Sequence, residues 1–214
     1  MRNEKPILGV TMGDPAGVGP EIILKGLTGD KVYELCNPLV FGDARVIRKA
    51  QKIVGDKAQI NAVADVSDAL FEEGTVDVFD LQNISTDQYK YGEISPKAGN
   101  AAFESIRKAI ELANQNSIDG TVTAPIHKES LNLAGHHFAG HTEIYAHYTG
   151  TDDVAMLLVE DDLKVVHVST HVALRKACDL VTKDRVLKVI QLVNNACKKF
   201  GIEEPEIGIA GLNP

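Results

Sequence analysis

The sequence predicts an α/β fold around a mostly parallel sheet. Apolar runs of strand length alternate with amphipathic stretches of helical period, and this alternation is the pattern of strands linked through helices. No internal repeat, low-complexity tract or Pro/Ser-rich linker interrupts the 214 residues. A composition of 44% hydrophobic and 24% charged residues is apolar enough to bury a core and too apolar for a disordered chain.

PILGVTM (6 to 12) predicts a buried strand, and PEIILKGL (20 to 27) a helix with Pro20 in its first turn, where a missing N–H costs nothing. NPLVFGD (37 to 43) repeats the strand pattern, and ARVIRKAQKIVG (44 to 55) continues as a helix ended by Gly55. TVDVFDL (75 to 81) alternates with the period of a strand. From Ser95 to about Asn116, Ala98, Ala102, Ile106, Ala109, Ile110 and Leu112 mark one long helical face. Asp119 to Thr123 predicts another strand. DVAMLLVE and LKVVHVST predict adjacent strands with Asp161 and Asp162 in a hairpin turn. A helix from Lys183 to Phe200 and a final strand, EIGIAGL (206 to 212), complete the series.

Charge excludes two classes of partner. A formal net charge of −8 and a pI near 5.3 leave no basic excess to displace counterions from nucleic acid or to hold an anionic membrane. A small-molecule site with a few local cations stays open. Cys36, Cys178 and Cys197 are odd in number, far apart and free of any CxxC pattern, and MRNEKPILGV is too short and polar for a signal peptide. The expectation is a cytoplasmic protein with three reduced thiols.

Three stretches carry candidate chemistry. TMGDPAGVGPE (11 to 21) places Gly13, Gly17 and Gly19 between a strand and a helix, where backbone amides can bind an anion or simply make a tight turn. Its GxxxGxG spacing is neither the GxGxxG dinucleotide fingerprint nor GxxxxGK[ST]. TAPIHKESL (123 to 131) follows a strand end, where open α/β sheets place ligands; His127 and Lys128 either orient an anion there or open a helix. The third is GHHFAGHTEIYAHYTG (135 to 150), with four of the seven histidines, all seven lying between positions 127 and 171. His141 and His147 are six apart and do not form HExxH, while His136 and His137 are consecutive and point in different directions. His167 and His171 fall at a strand end and just beyond it. Spacing alone completes no metal site.

TMGDPAGVGPEI, TAPIHK, AGHHFAGHTE, STHVALR and GLNP, in that order, resemble the 4-hydroxythreonine-4-phosphate dehydrogenase family of pyridoxal phosphate biosynthesis, together with its relatives acting on 4-phospho-threonate and 4-phospho-erythronate. The resemblance covers the whole chain. It implies the two-lobe α/β/α architecture of isocitrate and isopropylmalate dehydrogenases, here incomplete at the C-terminus and with the lobe boundary undetermined. It implies homodimers with the site near the subunit interface, NAD or NADP held without a GxGxxG loop, and a divalent metal such as Zn, Mg or Co.

Residue by residue, the resemblance assigns His141 and Thr142 to the phosphorylated hydroxy acid substrate and His171 of Ser169-Thr170-His171 to the metal, with Ser169 where the family has Thr. The family's second metal histidine directly follows GLNP, residues 211 to 214 here. The third, and the groups that close the far side of the substrate, come later still, so the sequence is expected to represent the N-terminal two-thirds of such an enzyme. The implied chemistry is hydride transfer from a secondary alcohol β to a carboxylate, then loss of CO2 through an enolate, with the metal as Lewis acid at the substrate oxygen. The expected activity is oxidation and decarboxylation of 4-hydroxythreonine 4-phosphate. The alternatives are 4-phospho-D-threonate or 4-phospho-D-erythronate oxidation and, in another class, an inactive ligand-binding or dimerisation module.

Overall fold

The computed structural model describes residues 5–29 and 31–213; residues 1–4, part of the stretch read for a signal peptide, and Pro214 of GLNP lie outside the described residues. Two compact units, Met1–Gly150 and Thr151–Pro214, divide the chain.

In the first unit, β1 (Ile7–Thr11), β2 (Asn37–Gly42), β3 (Gln59–Val63), β4 (Thr75–Asp80) and β5 (Gly120–Thr123) form one sheet in the order β3-β4-β2-β1-β5. Every pairing in it is parallel. The central strands β1 and β2 are continuous apolar runs because helices cover both faces. The helices are α1 (Gly19–Leu27), α2 (Val32–Leu35), α3 (Ala44–Val54), α4 (Pro96–Asn114), α5 (Lys128–Leu133) and α6 (His141–Thr149). Asp43 caps α3 by accepting from Arg45 N–H, and Gly55 ends it in the left-handed region. Ser95 caps α4 by accepting from Ala98 N–H, with Pro96 beside it.

Alternation along the strands sorts the core into two layers. Val10, Met12, Val40 and Val78 pack with Leu24 of α1 and Ile47 of α3, whereas Leu39 and Phe41 face Ala109 of α4. The outer side of α4 carries Phe103, Ile106 and Ile110 against Leu131 of α5 and Ile144 of α6. Fully burying an Ile or Leu is worth about 1.5–3 kcal/mol, so this third cluster is what fixes α5 and α6 on α4.

β1 leads through α1 to β2 on one side of it, while α4, on the opposite face, delivers β5 to its other side. The strand order therefore reverses between the C-terminal ends of β1 and β5. In open α/β sheets this reversal is where a crevice opens for ligands.

In the second unit, β6 (Leu157–Glu160) and β7 (Leu163–Val166) pair antiparallel around Asp161 and Asp162, with Asp161 at φ 44°. Two helices follow, α7 (Leu174–Leu180) and α8 (Lys183–Lys199). Thr182 caps α8, and Arg185 in its first turn donates to the carbonyls of Val154 and Val168, both at 2.9 Å. Lys188 pairs with Asp153 at 2.8 Å, so α8 holds both flanks of the hairpin.

The parallel sheet and the hairpin agree with the sequence reading, and three features differ. β3 and the short helices α2, α6 and α7 are additional, α5 takes up the helix start that was one reading of His127 and Lys128, and the predicted final strand over EIGIAGL does not form. That segment has no regular structure, since no strand among the described residues supplies a ladder for it, and a strand exists only with a hydrogen-bonding neighbour.

Candidate functional site

The loop after β1 resolves the two readings of GxxxGxG. Gly13 has φ 72°, and a Cβ placed on it would lie 2.5 Å from Pro125 O, so only glycine lets the two loops approach. Asp14 N–H donates to Pro125 O at 2.9 Å, Ala16 N–H to Asp14 Oδ1 at 2.7 Å and Gly17 N–H to Asp14 O at 3.0 Å. With three amides engaged internally, the loop is a clamp between β1 and β5 and not an open anion cradle.

Asp14 is 4% exposed at the bottom of this clamp. Burial pushes its carboxyl above the usual carboxylate range, opposed by the Ala16 amide, the His127 imidazole and the Ser130 hydroxyl.

The loop after β5 supplies the opposite wall. His127 is the N-cap of α5, its Nδ1 accepting from Ser130 N–H at 3.3 Å. An imidazole nitrogen that accepts carries no proton, so this bond leaves Nε2 free to face away from the helix start. Ser130 is fully buried, and its Oγ accepts from Ser95 N–H at 3.1 Å, which joins the start of α4 to the same corner. The residue type of His127 signals a helix start as well as a ligand; the structure makes it a cap whose ring is exposed.

From here the chain passes through Gly135 and Gly140 to α6. The Lys128 Cε comes within 3.8 Å of where a Gly140 Cβ would lie, so the α5 and α6 starts are neighbours. His141 and Thr142 occupy the first turn of α6, both half-buried. Ile144, fully buried against α4, and Tyr145, whose hydroxyl donates to Thr121 Oγ1 of β5 at 2.7 Å, fix that helix. His141 Nε2 is buried with no hydrogen-bond partner among the described residues. Burial holds the His141 pKa below its ordinary value, so the ring is neutral at pH 7 and offers one unused polar nitrogen.

The other histidines of the cluster turn elsewhere. His136 stacks on Phe103 with centroids 3.6 Å apart, and its Nε2 meets Asn100 Oδ1 at 2.9 Å. His137 Nδ1 meets Asn132 Oδ1 at 3.3 Å, and His147 packs edge-on to Tyr148 at 4.9 Å. Consecutive positions do send His136 and His137 in different directions. Among the described residues no three His, Cys, Asp or Glu converge to hold a metal ion.

In the second unit His171 follows β7, exposed and at φ 56°, a left-handed conformation that Phe71, Gln82, Asn116 and Asp161 also adopt. His167 Nδ1 is buried without a partner among the described residues. One available imidazole is short of the three or four ligands a divalent metal site requires, so the described residues do not fit a complete metal centre.

Ser95 and Ser130 are the site residues that sequence reading missed. Their signal is weak: HKES places a hydroxyl three residues after a capping position, but nothing local says that position 95 folds back onto it.

A family model described as pyridoxal phosphate biosynthetic protein PdxA matches residues 34–214. A Clostridium botulinum (strain Hall) protein provisionally named D-threonate 4-phosphate dehydrogenase is 45% identical over 214 residues, all of this chain and 64% of that protein. The solved 4-hydroxythreonine-4-phosphate dehydrogenase of Burkholderia phymatum superposes with a TM-score of 0.88 at 44% identity, over 99% of this chain and 64% of that one. The Klebsiella pneumoniae enzyme of the same name gives 0.88 at 37% identity, over 98% and 65%. The chain thus spans about 64% of the length of the curated relatives it matches.

Proposed function

The chain belongs to the family of the pyridoxal phosphate biosynthetic protein PdxA, and on that premise we propose that it carries the substrate crevice of an NAD- and metal-dependent dehydrogenase of four-carbon hydroxy acid phosphates. The proposed reaction is oxidation and decarboxylation of 4-hydroxythreonine 4-phosphate. The observation that carries the reading is the first turn of α6, where His141 presents a buried, unpartnered Nε2 beside Thr142 next to the reversal of strand order. A buried polar atom without a partner costs about 1–3 kcal/mol, which a ligand hydroxyl or phosphate oxygen would recover.

Within this chain His141 and Thr142 would orient the substrate, and the clamp of Gly13, Asp14 and Pro125 would keep the two loops at a fixed separation around it. Nicotinamide would accept the hydride and the metal would act as Lewis acid when bound. His171 is the one candidate ligand offered here, so no further step is assigned to the metal. Free Cys36, Cys178 and Cys197 support a cytoplasmic setting. No helix among the described residues is long and apolar enough to cross a membrane.

A second reading takes D-threonate 4-phosphate as substrate, with a hydroxyl in place of the amine at C2. It is favoured by the name of the Clostridium botulinum relative. The test uses a chain extended to the relatives' full length: NADH formation is followed with each compound, with and without a chelator. The first reading expects the faster rate with 4-hydroxythreonine 4-phosphate, loss on chelation and recovery on adding metal; the reverse substrate order supports the second. No NADH with either compound rejects both. His171→Ala should lose the metal-restored rate while keeping its melting temperature, because an exposed ligand supports no core.

A further inference from the structure

Among the described residues β5 is an edge strand of the sheet, and three contacts fix how α6 lies along it. The Tyr145 hydroxyl donates to Thr121 Oγ1 of the strand at 2.7 Å. Asn114 Nδ2, at the end of α4 and so ahead of β5, donates to Tyr148 O at 3.1 Å. At the other end Gly140 sits beside the stem of Lys128, which follows β5. α6 therefore runs antiparallel to β5, with its first turn at the strand's C-terminal end.

The periods of the two elements then set a register. His141 precedes Tyr145 by one helical turn, about 6 Å along the axis, and lies on the same face. Thr123 follows Thr121 by two positions, about 6.6 Å along the strand, and projects to the same side of the sheet. The Tyr145–Thr121 bond thus brings His141 and Thr142 level with Thr123. Thr123 is exposed, and its hydroxyl has no hydrogen-bond partner among the described residues.

The neighbour of Thr123 across the sheet is polar too. Thr11 of β1 pairs in register with it, is fully buried, and leaves its Oγ1 without a partner among the described residues. Valine would suit the buried position 11 equally well as a strand residue and would bury no hydroxyl, so packing does not account for this threonine. The two threonines end the strands between which the order reverses, so with His141 Nε2 they bring three polar groups without protein partners to one corner. We propose that Thr123 is a further ligand-binding residue, its hydroxyl donating to an anionic oxygen of the phosphorylated hydroxy acid held at the first turn of α6. This inference rests on the proposed function and adds a contact from the sheet to those from the helix.

The test uses the chain extended to the relatives' full length, with 4-hydroxythreonine 4-phosphate and D-threonate 4-phosphate as calorimetric titrants. Thr123→Val keeps the shape and strand preference of the side chain and removes its hydroxyl. Thr123→Ser and Thr123→Ala both lose the methyl and differ by the hydroxyl alone, which keeps the comparison decisive if valine disturbs the strand. Thr123→Val and Thr123→Ala should each weaken binding roughly tenfold at unchanged melting temperature, and Thr123→Ser should stay within about twofold of wild type. Equal affinity in the serine and alanine variants, or wild-type affinity in Thr123→Val, would overturn the proposal.

A second readout is independent of affinity. With threonine methyls labelled with 13C, saturation by either compound should shift the Thr123 and Thr142 signals and leave that of Thr28, the C-cap of α1, in place. A Thr123 signal unmoved at saturation would contradict the contact. If wild type binds neither compound, the functional reading falls and the Thr123 contact with it. If wild type binds and His141→Ala weakens binding while the Thr123 variants do not, only the Thr123 contact falls.

Discussion

Two buried aspartates in the first unit have opposite electrostatics, and the difference predicts how each responds to change. Asp43, fully buried, would have its pKa raised by burial, but the Arg45 guanidinium, Ile84 N–H and Arg45 N–H bonded to it outweigh this and hold it below the usual carboxylate range. Its stabilisation is present above the unfolded-state pKa and is lost as pH falls through the lower folded value. Asp14 behaves inversely: its pKa is raised, so its contribution is full below the unfolded-state pKa and is lost as pH rises through the folded value. Asp43→Ala should cost about 2–3 kcal/mol by denaturant unfolding at pH 7, from the lost cap and the stranded Ile84 amide, with a smaller difference from wild type at pH 3. His136→Ala should cost about 1 kcal/mol through the Phe103 stack and leave ligand binding alone. The divergence of His136 and His137 was legible from their adjacency. The burial of Asp14 was not, because it depends on the approach of residue 125, more than a hundred positions away.

Elements with strong periodicity were the legible ones. The long apolar face of α4 and the continuous runs of β1 and β2 announce themselves, since each buries enough surface to leave a pattern. α6 was illegible as a helix: HTEIYAHYT buries only Ile144, and its polar face is the candidate site itself. β3 lies at the sheet edge with one buried residue, Val63, and its QINAV sequence carries little apolar signal. That α6 has a single fully buried side chain gives a prediction. Ile144→Ala should destabilise the first unit by about 2–5 kcal/mol and raise amide exchange in α6 before α3, measured by hydrogen exchange. In the second unit, Arg185→Ala should speed exchange around residue 168, since its guanidinium holds the Val154 and Val168 carbonyls to α8.

At the scale of the whole molecule, the family pattern in the sequence carried the fold class, because motifs spread over the chain constrain topology in a way no single spacing does. The second unit leaves Leu158, Leu163 and Leu174 at 52%, 66% and 81% exposure. Apolar surface of this kind invites cover by further polypeptide. Binding of a phosphorylated hydroxy acid at the first turn of α6 is best measured by calorimetry on wild type and His141→Ala, with 4-hydroxythreonine 4-phosphate and D-threonate 4-phosphate as titrants. Binding should saturate at about millimolar Kd or tighter for at least one compound and weaken about tenfold or more (about 1.4 kcal/mol) in His141→Ala, with the melting temperature preserved. Equal affinity in both proteins, or no saturable binding of either compound to wild type, would contradict it.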